Sequence, residues 1–280
     1  MKAVTFAKRA IQGLVGTLAV AASFSALATP VVTQWGFAVN SGFSAFLDSN
    51  NSMAGITATN PNGLLGLPSL LTWGVDGGFG RSSLGVGAAF NGNVSGTIIT
   101  NNAAIDTVQV IHNNFPVFAP TLQSATLFDL ITLQALVPGP DAPFFAPPVS
   151  FGIKLKETDN IAGTCVAPSP VNNPCNDIFV IDVTNAGFNP VNNTLVQHFG
   201  YNFNWYDAVL SIGGLGPLSA AECSAAGAAA GCIGFTTIEG QENIMQVKLA
   251  INAVPEPDSL ALFGLALVGL GMVRRRKNAA

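Results

Sequence analysis

The sequence predicts an all-β fold: a single β-sandwich-like domain with short helical insertions. Three observations predict it. The central part of the 280-residue chain has no long helical hydrophobic period. Short runs rich in β-branched and aromatic residues recur there instead. Clusters of Asn, Gly and Pro separate them, at 60–63, 113–114, 172–174 and 189–193; Asn marks turns because it tolerates left-handed backbone and bonds its own main chain. The chain is 49% hydrophobic and 9% charged, which excludes a disordered acidic polymer.

Taken in order, residues 29–90 are Gly- and Ser-rich, with Trp35, Phe37, Phe43, Phe46, Trp73 and Phe79 among them. They read as irregular strands and long loops. Strands are predicted at 95–100, 107–111, 125–135, 149–156, 178–183, 195–205, 208–212, 233–238 and 243–251. Two of these carry the alternation of a half-buried strand. Phe151, Ile153 and Leu155 alternate with Gly152, Lys154 and Lys156; Met245, Val247, Leu249 and Ile251 alternate with Gln246, Lys248 and Ala250. One helix is predicted. Ser219-Ala220-Ala221-Glu222 has capping-box spacing, and Gly227 or Gly231 would end the Ala-rich turns that follow.

The four cysteines fall in two close pairs, Cys165/Cys175 and Cys223/Cys232. Local disulfides are expected, each closing a loop of about ten residues and contributing about 2.5–3 kcal/mol in the chain-entropy model. Zinc is the competing reading, but no Cys-x-x-Cys pair occurs, and His112 and His198 are far from the cysteines in sequence.

The two ends read as addresses. Residues 1–28 form a signal peptide for the Sec export machinery: Lys2, Lys8 and Arg9 precede the apolar run 11–22, and Ala26 and Ala28 supply the small residues of the cleavage site. Residues 29–253 would be the exported β-rich domain. Residues 254–280 begin with Val254-Pro255-Glu256-Pro257, continue through the uncharged stretch 259–273, and end in the basic box 274–277 of Arg274, Arg275, Arg276 and Lys277. A helix over that stretch would rise about 22 Å against roughly 30 Å of hydrocarbon, a marginal span suited to a transient tether in the inner membrane. The basic box would stay cytoplasmic. Thirteen of the fifteen acids but only four of the eleven basic residues lie at 29–254, so that region cannot neutralise a run of phosphates and no nucleic-acid partner is expected.

The Pro-Glu-Pro triplet, short apolar stretch and Arg-rich box resemble the PEP-CTERM sorting signal. The resemblance implies export from a Gram-negative cell that makes exopolysaccharide. It also implies recognition and cleavage by an exosortase, a membrane cysteine protease, so that the mature protein would lack residues 260–280 and reside at the cell surface or outside the cell.

Within the exported region, His112-Asn113-Asn114 resembles the signature of THxN-type PEP-CTERM proteins, with Ile111 where that family has Thr. Glu157-Thr158-Asp159-Asn160, the paired cysteines, Asp177-Ile178-Phe179 and the segment Gly234 to Gly240 resemble the rest of the pattern. The resemblance implies a structural role for His112, Asn114, Glu157 and Asn160.

Residue by residue, His112 suits a hydrogen-bonding knot at a strand end better than catalysis, since no second His or assigned carboxylate stands beside it in sequence. His198 lies among Phe199, Tyr201, Trp205 and Tyr206, a strip that reads as core and alternatively as a sugar platform. Glu157, Asp159 and Asn160, with Asp177 across the disulfide loop, could hold Ca²⁺. They lack the dense carboxylates of an EF-hand loop, so a solvated loop is expected, with no metal and no cofactor. Asp207, Glu239 and Glu242 offer a weak glycosidase pairing. Gly80-Arg81-Ser82-Ser83-Leu84 and Gly42-Phe43-Ser44-Ala45-Phe46 both lack the second Gly of a nucleophile elbow, and no phosphate loop is present. The expected protein is therefore a non-enzymatic surface or matrix protein associated with exopolysaccharide. A carbohydrate- or ice-binding module is the first alternative and a secreted glycan hydrolase the second.

Overall fold

A computed structural model describes residues 30–87, 90–182, 188–189, 192–255 and 264. The signal peptide with Ala26 and Ala28, Glu256, Pro257, the 259–273 stretch apart from Gly264, and Arg274, Arg275 and Arg276 lie outside the described residues. Among those described, no helix is long and apolar enough to cross a membrane.

The strands in chain order are β1 (Gln34–Asp48), β2 (Ile56–Pro61), β3 (Pro68–Trp73), β4 (Val75–Asp76), β5 (Ser82–Val86), β6 (Asn93–Ile99), β7 (Ile105–Asn114), β8 (Val117–Phe118) and β9 (Leu122–Val137). They continue as β10 (Phe144–Phe145), β11 (Val149–Lys156), β12 (Asp177–Asp182), β13 (Phe188–Asn189), β14 (Thr194–Tyr201), β15 (Asn204–Ile212), β16 (Gly216–Pro217), β17 (Ile233–Thr237) and β18 (Gln241–Val254). One sheet runs β16-β17-β12-β11-β9-β1-β6, with β10 on β9. The second runs β13-β14-β15-β18-β7-β5-β3-β2. Short β4 and β8 pair apart from both.

The two sheets share one apolar core, and aromatic rings bridge them at two places. Trp35 of β1 meets Phe199 and Tyr206 edge-on across the layer, with centroids 5.8 and 5.1 Å away. Elsewhere Phe179 of β12 meets the His112 ring of β7 at 4.8 Å. Such edge-to-face contacts align ring quadrupoles as well as burying area. Register shifts at Gln34/Trp35, Phe43/Ala45 and Leu47/Asp48 in the β1–β9 pair, and at Gln246/Lys248 in the β18–β7 pair, interrupt otherwise regular antiparallel ladders.

Most predicted strands are present, and β11 has the predicted bounds. Residues 29–90 depart most from expectation. They contain β1, which pairs with β6 on one side and β9 on the other. Gly42 lowers the apparent β propensity there, yet packing requires it: a Cβ at that position would lie 2.7 Å from Leu67 Cβ. The predicted strand at 195–205 is instead a hairpin. Asn202 (φ 49°) and Phe203 (φ 61°) both adopt left-handed backbone between β14 and β15, as a two-residue I′ turn requires. The turn expected at Asn113-Asn114 is strand, the end of β7.

The helix α1 (Ala220–Ala225) has the predicted capping box: Ser219 Oγ accepts from Glu222 N and Glu222 Oε2 accepts from Ser219 N. It ends in a Schellman arrangement. Gly227 has φ 67°, Ala228 N donates to Cys223 O at 2.8 Å, and Gly227 N donates to Ser224 O at 3.0 Å. Ala225 and Ala226 pack with Ile178 and Val180, while Phe179 and Ile181 face the main core. Strand β12 is thus covered on both faces, which explains its continuous apolar run Ile178-Phe179-Val180-Ile181. Both expected disulfides are present, Cys165–Cys175 and Cys223–Cys232, and no described cysteine is free.

One carboxylate occupies the core row of β9. Ala125, Leu127, Asp129, Ile131 and Leu133 are its buried alternates, and Asp129 stands opposite Ser41, whose hydroxyl donates to it. Burial raises the Asp129 carboxyl to about 6, against the lowering effect of the Ser41 hydrogen bond. The native state therefore holds this proton at pH values where the unfolded chain has lost it. The stabilisation is complete below about 3.8 and is lost as pH rises through about 6. Asp129→Asn should be insensitive to that titration. Urea unfolding from pH 4 to 7 should show wild type losing about 2–3 kcal/mol relative to Asp129→Asn, at about 1.4 kcal/mol per pH unit; parallel curves would contradict this.

Candidate functional site

Several strand ends from the two sheets converge on a buried polar knot. Strand β11 ends one residue before Glu157, Asp177 opens β12, and Glu239 lies two residues beyond β17. Strand β12 pairs with both neighbours, with Lys156 opposite Ile178 and Asp177 opposite Thr237. The pairing brings three residues distant in sequence to one end of the sheet. One carboxylate oxygen from each of Glu157, Asp177 and Glu239 lies within 4.8 Å of the others.

Local sequence explains each placement. The excursion from Glu157 to Asp177 is closed by the Cys165–Cys175 disulfide. Thr158 N and Oγ1 donate to Asp177 Oδ1 at 2.8 and 3.2 Å, tying the two ends of that excursion together. Gly240, with φ 79°, makes the turn after Glu239, and its N–H donates to Asn114 O at 2.8 Å. Asn243 clamps the same turn by accepting from Ile238 N and donating to Ile238 O.

The second sheet supplies the wall. Strand β7 brings His112 and Asn114, and β3 brings Trp73. Trp73 Nε1 donates to Glu157 Oε2 at 2.9 Å, and its ring stacks on His112 at 5.5 Å and 14°. His112 is fully buried, with Nδ1 3.0 Å from Thr237 Oγ1. Burial holds its imidazole neutral, lowering it to about 3. Asn114 Nδ2 donates to Thr237 O at 3.3 Å, and Asn160 Nδ2 donates to Val117 O at 3.0 Å.

The four residues His112, Asn114, Glu157 and Asn160 therefore belong to one polar region, together with Trp73, Thr237, Asp177 and Glu239. The solvated-loop expectation fails for Asp177, which is 0% exposed, and for Glu157, which is half-buried with its Oε1 shut off from solvent; Glu239 is 4% exposed. Asp159 is exposed and stands outside the carboxylate group. Burial is the leading cause that raises all three carboxyls. Glu157 and Glu239 each rise to about 7, and the Trp73 bond opposes the rise at Glu157. Asp177 is raised well above the usual range by burial and then by the Glu157 charge. The group is built to hold protons or a cation rather than free negative charge.

The remaining sequence candidates lie elsewhere. His198 is exposed rather than core, and pairs with Asp207. Phe199 and Tyr206 point inward, whereas Trp205 is 61% exposed, so strand alternation splits the aromatic strip between two faces. Glu242 is exposed beside buried Glu239. The last pair of β18 is Val254 with Trp205, and ladder pairing stops before Pro255.

A family model of the PEP-CTERM protein-sorting motif matches residues 253–277. The match begins at the last two residues of β18. It marks an exported protein that an exosortase sorts through the membrane to the cell surface. No curated protein matches the chain.

The His112–Thr237 contact offers a direct test of how the knot supports the fold. Thr237 is 1% exposed, and Thr237→Val keeps its shape while removing the hydroxyl. Leaving a buried imidazole nitrogen without a partner should cost about 1–3 kcal/mol in urea unfolding at pH 7. An unchanged midpoint would show that this contact contributes nothing.

Proposed function

We propose that the chain is a non-catalytic surface or matrix protein, released by exosortase at its Pro-Glu-Pro segment and retained with exopolysaccharide outside the cell. The observation that carries this reading is the junction at Val254. The sheet domain completes its last pair there, and the matched sorting motif occupies the residues around and beyond it. Cleavage beyond Pro255 would leave every described strand intact. The likeness of His112, Asn114, Glu157 and Asn160 to the THxN-type signature supports placing the protein among those PEP-CTERM proteins. Two disulfides suit an oxidising extracellular setting. Against catalysis stands the environment of the acids: Asp177 and Glu239 are buried from a polymeric substrate, and Asp207 is engaged by His198.

A glycan-binding module is the second reading, favoured by one feature. Trp205 is 61% exposed and lies across Gly200, where a Cβ would be 3.6 Å from its ring; Phe203 in the adjoining turn is 92% exposed. Flat exposed aromatics next to a bare backbone suit stacking on sugar faces.

Fractionation of a polysaccharide-producing host and of its polysaccharide-deficient derivative tests both readings. The mature protein should stay with the matrix in the first and appear free in the medium in the second. Equal partition in the two would oppose matrix retention. Loss of retention in Trp205→Ala, with the fold preserved, would favour direct glycan contact.

A further inference from the structure

We propose that Glu157, Asp177 and Glu239 bind one Ca²⁺ ion, with the side-chain oxygens of Asn114 and Asn160 completing its coordination. The carboxylate oxygens lie within 4.8 Å of one another. A single cation can touch all three at the about 2.3–2.6 Å typical of Ca²⁺–oxygen contacts.

Unmet hydrogen-bonding capacity is the second, independent sign. Among the described residues, Glu157 Oε1, Asp177 Oδ2 and both Glu239 oxygens are buried without a hydrogen-bond partner. Asp177 and Glu239 are 0% and 4% exposed, so water does not supply the missing donors from outside. A buried, unpartnered carboxylate is costly, and several facing one another are costlier.

The amides add to the pattern. Asn114 Oδ1 and Asn160 Oδ1 are also buried and unpartnered. Their orientation is fixed by chemistry, because each Nδ2 faces a main-chain carbonyl oxygen, Thr237 O or Val117 O. Rotating either amide would set oxygen against oxygen. The backbone ties each amide to a segment that carries one of the carboxylates. Asn114 O accepts from the N–H that follows Glu239, and Asn160 lies three residues after Glu157.

The donor chemistry selects the ion. The converging ligand atoms are oxygen: the cysteines are consumed in disulfides, His112 Nδ1 is engaged by Thr237, and His112, although its Nε2 is buried and unpartnered, is not among the residues whose ligand atoms fall within 4.8 Å of one another. Soft-ligand metals gain nothing from such a set. Ligands drawn from separate strand ends, mixing three carboxylates with neutral amides, suit the larger and more tolerant Ca²⁺ sphere better than octahedral Mg²⁺. Extracellular Ca²⁺ modules bind with dissociation constants of about 10⁻⁴–10⁻³ M, a range that an exported protein can use.

The test is a titration of the full chain, stripped with EGTA, by CaCl₂ and separately by MgCl₂. One Ca²⁺ per chain should bind and raise the melting temperature by several degrees. Asp177→Asn with Glu239→Gln should weaken binding by about tenfold or more, because ligand charge sets affinity in such sites. If that double variant fails to fold, Tb³⁺ luminescence of the wild type decides. Trp73, hydrogen-bonded to Glu157, should sensitise Tb³⁺ emission that Ca²⁺ displaces and equimolar Mg²⁺ does not. Four results would overturn the proposal: no uptake at millimolar Ca²⁺, equal affinity for Mg²⁺, unchanged binding in a folded double variant, or no Ca²⁺-displaceable emission.

Discussion

Asp177 sets the central constraint on this molecule. It opens the strand β12, which both a helix and the main core cover, so its side chain has no route to solvent. Thr158 satisfies one of its oxygens through two hydrogen bonds, the other is buried without a partner among the described residues, and the carboxyls of Glu157 and Glu239 stand close by. A low-dielectric site tolerates such a group only when charge is neutralised or every lone pair is met. Much of the surrounding architecture answers that demand. The Cys165–Cys175 bridge holds the excursion between two of the acids. Gly240 and Asn243 shape the turn that carries the third. Trp73 and His112 form an aromatic wall between this polar end and the apolar layer.

The same region joins the two sheets. Thr237 pairs with Asp177 in the first sheet, and it contacts His112 and Asn114 of the second through its hydroxyl and carbonyl groups. At the Trp35 cluster the sheets meet through ring packing, the bond from Val32 N to the Tyr206 hydroxyl and the bond from the Tyr201 hydroxyl to Asp141 Oδ2. One join is therefore polar and directional, the other largely apolar and adaptable. The sorting segment departs from the second sheet at the Trp205–Val254 pair, so the chain can be severed beyond β18 without breaking a described ladder. Export and packing thus make separate demands on separate residues.

Much of this was legible in the sequence, for reasons that particular residues show. Strand β11 could be read to its bounds because Phe151, Ile153 and Leu155 face one layer and two lysines face solvent. The capping box of Ser219 and Glu222 is a short-range interaction and was equally legible. Strand β1 was not, because Gly42 serves a close approach to Leu67 and Ser41 a bond to Asp129 rather than β propensity. The I′ turn at Asn202-Phe203 was hidden because its second residue is aromatic, where glycine usually signals the turn. For the site, motif likeness singled out His112, Asn114, Glu157 and Asn160. Asp177 was considered only as a neighbour of Glu157, and Glu239 only as a weak catalytic candidate. Their union depends on the β11–β12–β17 register, which no local pattern carries. The buried environment of the acids was missed for the same reason: a polar loop in sequence becomes interior once the second sheet covers it.

The functional account rests on an exported domain that loses its C-terminal tether. The most direct test is the intact mass of the chain recovered outside an exosortase-bearing host. The account predicts a polypeptide that begins at Thr29, carries two disulfides and ends before Leu260. An extracellular species that still includes Arg274 to Lys277 would contradict it.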